Sequence, residues 1–117
     1  MKAATYDRRG PAREVLKIVD RPTPEPGPGE VRVKIAVSAV NPSDTKGRGT
    51  WQGATQMLYP LITPHQDGSG IIDKVGEGVA SARVGERVWV YMAQRGRAFG
   101  TAAEYTVVWA STSFKYR

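Results

Sequence analysis

The chain has 117 residues, no cysteine and a formal net charge of +6, which fits one domain and excludes disulfides, thiol nucleophiles and cysteine-ligated metal sites. Hydrophobic residues make up 40% and charged residues 24%, the balance of a folded globular protein rather than a disordered or membrane-spanning one. Basic and acidic residues alternate, as in Asp7-Arg8-Arg9 and Glu30-Val31-Arg32-Val33-Lys34, so the positive charge reads as a mixed solvated surface and not as a nucleic-acid face.

Ala3 to Tyr6 reads as a first short strand and Val15 to Val19 as a second, with Gly10-Pro11 turning between them. Arg21 to Gly29 is a Pro/Gly segment with too few side chains to pack a core, and is predicted as an internal loop. From Glu30 to Val40, Val31, Val33, Ile35, Val37 and Ala39 alternate with Glu30, Arg32, Lys34, Ala36 and Ser38. Period two over that length predicts a strand with one buried face. Asn41-Pro42 ends it, and Ser43 to Arg48 is predicted as a helical turn with Ser43 as its N-cap.

Trp51 to Pro64 is irregular and proline-punctuated, a long loop of the kind that often carries function. Gly70 to Val75 reads as a strand and Gly76-Glu77-Gly78 as the turn that ends it. That turn is not a phosphate loop: Ser81 stands where the third glycine of G-x-G-x-x-G belongs, and no helix-forming segment follows. Arg87 to Tyr91 is a strand with Val88 and Val90 on one face, and Ala102 to Trp109 is the last. No internal repeat is visible. Short strands with little helix must close into a barrel or stack as a sandwich to hide their edges. The first residues carry charge where a secretory signal has its apolar core, and no apolar run reaches the ~20 residues of a membrane helix. Membrane insertion is not expected, and a cytoplasmic location is.

Four patterns in order carry a resemblance. They are Pro24-Glu25-Pro26-Gly27-Pro28-Gly29-Glu30-Val31-Arg32-Val33; Ala39-Val40-Asn41-Pro42-Ser43-Asp44; Pro64-His65-Gln66-Asp67-Gly68-Ser69-Gly70 with Val75-Gly76-Glu77-Gly78-Val79; and Val84-Gly85-Glu86-Arg87-Val88 with Gly100-Thr101-Ala102-Ala103-Glu104-Tyr105. Together they resemble the N-terminal domain of the medium-chain dehydrogenase/reductases, in their zinc-independent quinone oxidoreductase (zeta-crystallin-like) branch. The resemblance implies a mainly β fold, a GroES-like β-barrel with short helical turns over residues 1–117, with 109–117 as a divergent aromatic and basic tail. The Rossmann domain of the family is absent from this stretch.

Zinc-dependent relatives place a cysteine where Asn41 stands and a histidine where Gln66 stands. Amides do not replace thiolate and imidazole ligands, so no metal is expected. His65 lies one residue before the ligand position, on the opposite face if the segment is a strand, and reads as a hydrogen-bonded loop or barrel residue. The resemblance implies an NADPH-dependent reduction of a quinone or enone in the cleft between the barrel and the nucleotide domain.

It further implies that Asn41 orients the nicotinamide or a substrate oxygen and that Pro42 borders the cofactor. Ser43 matches a hydroxyl of a proton relay, and Asp44 matches a supporting carboxylate. Asn-Pro-Ser-Asp is equally a turn and helix-cap sequence on physical grounds. Trp51 and Tyr59, with Gln66, border the expected substrate site; either ring stacks on a planar substrate or plugs one end of the barrel. Lys46 replaces a tyrosine common in the branch and favours an anionic group on the substrate. Alone, the chain is expected to hold no cofactor and to have no reductase activity, with self-association favoured by its exposed aromatics. The competing expectation is a stand-alone β-barrel module acting through protein–protein contacts.

Overall fold

The computed structural model describes residues 1–115; Tyr116 and Arg117 of the expected tail lie outside the described residues. A two-stranded antiparallel unit, β1 (Lys2–Thr5) and β2 (Lys17–Asp20), sets Ala3 opposite Val19. Five further strands form one antiparallel sheet: β3 (Glu30–Ala39), β4 (Asp67–Val75), β5 (Arg87–Val90), β6 (Tyr105–Trp109) and β7 (Ser113–Lys115), in the order β6-β3-β4-β5-β7. Single bridges between Ala3 and Ala103, Tyr6 and Ile62, and Thr63 and Phe99 sew the two units together. The result is the mainly β, GroES-like fold that the resemblance implies.

The core is the apolar face of β3 carried through its neighbours. Val31, Val33, Ile72, Val88, Val90, Ala93 and Val108 form one cluster, each almost entirely removed from water. Burying a valine side chain contributes about 1.5–3 kcal/mol, so this cluster dominates the stability of a domain this small. The alternation expected along β3 holds only in its first half. Val37 is 60% exposed, because the register of β3 against β4 shifts between Arg32 and Val33 and again between Ile35 and Val37. A bulge bends a strand and breaks its facing pattern, and here it carries the end of β3 off the core and toward α2 (Pro42–Arg48).

Four sequence expectations are corrected. Ala12–Val15 form a short helix, α1, which takes Val15 out of the expected strand; Pro11 stands at its N-cap in extended backbone, with φ at the −62° its ring fixes. Val15 thereby drops into a second apolar cluster with Tyr6 and Ile62. Ser43 is not the N-cap of α2. Asn41 is, with Pro42 in the first turn, the position where proline's missing N–H costs nothing. The strand expected from Ala102 begins at Tyr105, since the backbones of Gly100, Thr101 and Ala102 are spent on bonds to Thr63, His65 and Pro64. Residues 113–115 of the segment set apart as a tail pair with β5 as β7, Phe114 opposite Trp89.

The long loop after α2 makes one 3-10 turn, Trp51–Gly53, and is otherwise irregular. Arg9 holds it down: its Nε donates to the carbonyl of Gln56 at 2.7 Å and its Nη1 to that of Gly49 at 3.3 Å. Charge-assisted bonds of this kind are stronger than neutral ones, so the loop is tied to the β1–α1 turn at two points. No helix among the described residues is long and apolar enough to cross a membrane.

Candidate functional site

The end of β3 delivers Asn41, and the end of the 3-10-containing loop delivers the start of β4. Between them the side-chain amide of Asn41 donates from Nδ2 to Asp67 Oδ2 at 2.7 Å. The backbone N–H of Asn41 donates to Asp44 Oδ2, also at 2.7 Å. Asp44 is 7% exposed, and its carboxylate is acceptable there because it caps the first turn of α2, where unpaired N–H groups and the helix dipole favour negative charge. Asn41 is thus fixed twice, through its main chain by Asp44 and through its amide by Asp67. The amide nitrogen is committed to Asp67, and its oxygen faces the first-turn N–H groups of α2 as the acceptor side of a capping box.

A cleft of about 180 Å³ opens beside this corner. Ser43 and Asp44 line it from α2, Tyr59 from the long loop, Gln66 from the approach to β4, and Arg9 and Arg97 from two other loops. Gln66 is oriented by the Gln94 backbone N–H, which donates to its Oε1 at 2.9 Å. Tyr59 packs against the Tyr6, Val15 and Ile62 cluster, and burial pushes the Tyr6 phenol above its ordinary pKa, more than the neighbouring Arg9 and Arg48 charges pull it down. Ser43, Tyr59 and Gln66 therefore meet in one place. Asn41 and Pro42 sit behind the cleft at the head of α2, and Trp51 points elsewhere: it is 55% exposed, with the Lys46 ammonium over its ring at 4.7 Å. Lys46 and Trp51 thus form their own cation–π pair on the outer surface. Arg9, Gln94 and Arg97 were not singled out in the sequence; the first two share no motif with α2, and only the folded loops bring them to it. A larger cavity of about 400 Å³ lies on the other side of Arg97 and contains none of the residues expected from the sequence.

His65 is fixed beneath the site. Its Nδ1 lies 2.7 Å from Ser38 Oγ, which lies 2.8 Å from Thr101 Oγ1. Thr101 donates in turn to the carbonyl of Asp67 at 2.7 Å. This network ties the residue before Gln66 to the strand that carries Asn41. His65 is a hydrogen-bonded loop residue, as expected, but not for the expected reason. Its φ of +84° is left-handed and it precedes β4, so strand alternation does not decide where its ring points.

Burial holds the His65 imidazole below its ordinary pKa, and the Arg48 charge adds to this while Asp44 opposes it. Protonation must then be driven against the fold. The unfolded chain takes up this proton first as the pH falls, so stability is full above about pH 6.5 and declines as pH drops below it toward the folded value. Urea midpoints measured between about pH 7.5 and 5.5 are expected to fall. His65→Asn, a residue that tolerates the left-handed backbone, is expected to flatten that decline. An unchanged slope in the variant would assign the decline to other groups.

The donor set does not suit zinc. The Asn41 amide is bonded to Asp67, Gln66 to the Gln94 main chain, and the His65 nitrogen to Ser38. Amides are poor zinc ligands beside thiolates and imidazoles. The cleft offers three hydroxyls, two side-chain amides and two guanidinium groups beside apolar side chains, a lining that suits a small polar ligand.

Comparison with known proteins follows the same line. The family model described as the alcohol dehydrogenase GroES-like domain matches residues 27–117. A trans-enoyl reductase of Gibberella fujikuroi is 38% identical over 113 residues, covering 97% of this chain and 30% of the relative. An NADPH-dependent alkenal/one oxidoreductase from the chloroplast of Arabidopsis thaliana is 33% identical over 113 residues, covering 92% of this chain and 29% of the relative. A mycobacterial protein solved with NADPH superposes over 100% of this chain and 34% of its own, with a TM-score of 0.81 at 30% identity. The chain thus spans about a third of the length of these relatives.

Proposed function

The chain belongs to the alcohol dehydrogenase GroES-like domain family, and from that premise we propose that it forms the substrate side of a zinc-independent, NADPH-dependent quinone or enone oxidoreductase. The observation that carries this reading is the convergence of Ser43, Tyr59 and Gln66 on one cleft, beside an asparagine held by two carboxylates. NADPH supplies the hydride when bound. The chain's own residues position the acceptor: the Gln66 amide and the Ser43 hydroxyl offer hydrogen bonds to a carbonyl oxygen, Asn41 anchors the head of the helix that carries Ser43, and Tyr59 offers a flat wall for a conjugated ring. Arg9 supplies positive potential where charge develops on that oxygen, while the charge of Arg97 is balanced by Glu30. Names carried by the relatives, trans-enoyl reductase and alkenal/one oxidoreductase, favour this reading over a stand-alone binding module.

Hydride transfer needs a nucleotide-binding partner domain, so the isolated chain is expected to be inactive and to bind no cofactor. Self-association belongs to the same reading. Trp89, Tyr91 and Phe114 stack in the open, with Trp89 and Phe114 centroids 4.6 Å apart, and such a face favours a second surface. The test joins the chain to the dinucleotide-binding half of a relative and assays NADPH oxidation with a quinone and with an enone. Turnover by the fusion and none by the chain alone supports the reading. A fusion that binds NADPH but turns over neither acceptor would remove it.

A further inference from the structure

We propose that the larger cavity, on the far side of Arg97 from the catalytic cleft, is a separate binding site for a small apolar acid, an aromatic carboxylate. The cavity measures about 400 Å³, within the usual range for small-molecule sites. It is lined by Pro22 and Pro24 of the proline loop and by Phe99, Tyr105 and Val107. Such a lining suits a compact apolar body better than a heavily hydroxylated one.

Charge at the cavity fixes the sign of the ligand. Four charged side chains line it: Arg21, Glu25, Glu30 and Arg97. Three are spoken for. Glu30 pairs with Arg97, and Glu25 is gripped by Arg32 and Lys74. Arg97 also lies over Trp109 and donates to the carbonyl of Val107. Arg21 alone has no carboxylate among the described residues. Its guanidinium carbon lies over the Phe99 ring, 3.5 Å from the centroid. That contact satisfies none of its N–H donors, and those donors are what grip a carboxylate with two parallel bonds.

The floor of the cavity holds two buried threonines. Thr63 and Thr106 both line the cavity and are 1% and 2% exposed. The hydroxyl oxygen of each is buried without a hydrogen-bond partner among the described residues. Buried hydroxyls are nearly always paired, and leaving one unpaired is costly. Both hydroxyl oxygens are closed off from the open cavity, so the ligand is set by the apolar lining and the one uncompensated guanidinium at the rim, which match a ring system with an anionic end. The site shares only Arg97 with the cleft, so it does not depend on the reductase reading.

The probe is 2-naphthoate, with 2-naphthalenemethanol as its neutral isostere, titrated into the full 117-residue chain and followed by amide chemical shifts. Saturable shifts centred on Thr63, Phe99 and Thr106 are expected, with the alcohol binding about tenfold more weakly. Arg21→Gln, a change at the rim that leaves the core alone, is expected to weaken naphthoate about tenfold and the alcohol hardly at all. Shifts centred on Trp89 and Phe114 instead, equal binding of acid and alcohol, or full affinity in Arg21→Gln would each overturn the proposal.

Discussion

Gly100→Ala is expected to cost the fold about 3 kcal/mol or more, read as a large fall in the urea midpoint. A Cβ at Gly100 would lie 2.0 Å from the carbonyl oxygen of His65 and 2.7 Å from that of Pro64. Both obstacles are main chain, so no rotamer change relieves them. The two segments are also bonded to one another, Gly100 to Thr63, Thr101 to His65 and Ala102 to Pro64. Pushing them apart breaks that ladder and moves His65 and Gln66 off the cleft. Gly47→Ala is the matched control. It lies in α2, and a Cβ there meets nothing within 4 Å. Removing glycine's backbone freedom from a helix is expected to stabilise by about 0.5–1 kcal/mol. If Gly100→Ala unfolds no more easily than the native chain, the close approach of these two segments is not what positions the site.

Much of the architecture was legible because it rests on local period. Val31 and Val33 on β3, and Val88 and Val90 against Trp89 and Tyr91 on β5, follow the alternation the sequence predicts. Val37 escaped it because a bulge is a mismatch between two strands and leaves no trace in one of them. β7 escaped because Ser113–Lys115 is too short to show a period, and only its pairing with β5 makes it a strand. Asn-Pro-Ser-Asp announced a helix start, but proline's demand for the first turn, rather than the serine, decides which residue caps it.

The site was legible in part for the same reason. Ser43 and Gln66 lie in motifs, Tyr59 in the long loop between them, and all three line the cleft. Arg9 and Arg97 come from loops 88 residues apart by their numbering, and nothing periodic or motif-like links them. Trp51 looked like a platform by composition, yet Lys46, one turn earlier in the chain, holds the face of its ring. The aromatic most attractive in the sequence is turned outward by the very lysine that departs from the family's tyrosine.

The dependence of Asn41 on Asp67 leads to the sharpest functional test. In the fusion that supplies the nucleotide-binding half, Asp67→Ala is expected to lower kcat by about 10²-fold with KM little changed. Asp67 accepts the Asn41 amide at 2.7 Å; without it the amide is free to rotate and present its nitrogen or its oxygen at random. A group held in one orientation contributes its hydrogen bond in the transition state without reorganising, and a group that must be reoriented does not. Asp67→Asn separates positioning from bulk stability. Its side-chain oxygen can still accept the amide, so activity is expected to return to within about tenfold of the native fusion. Equal urea midpoints for the two variants, with unequal kcat, would place the effect in the orientation of Asn41. Equal kcat in Asp67→Ala and the native fusion would mean that the orientation of Asn41 does not reach the reacting groups, and that the work of the cleft falls to Ser43, Gln66 and Arg9.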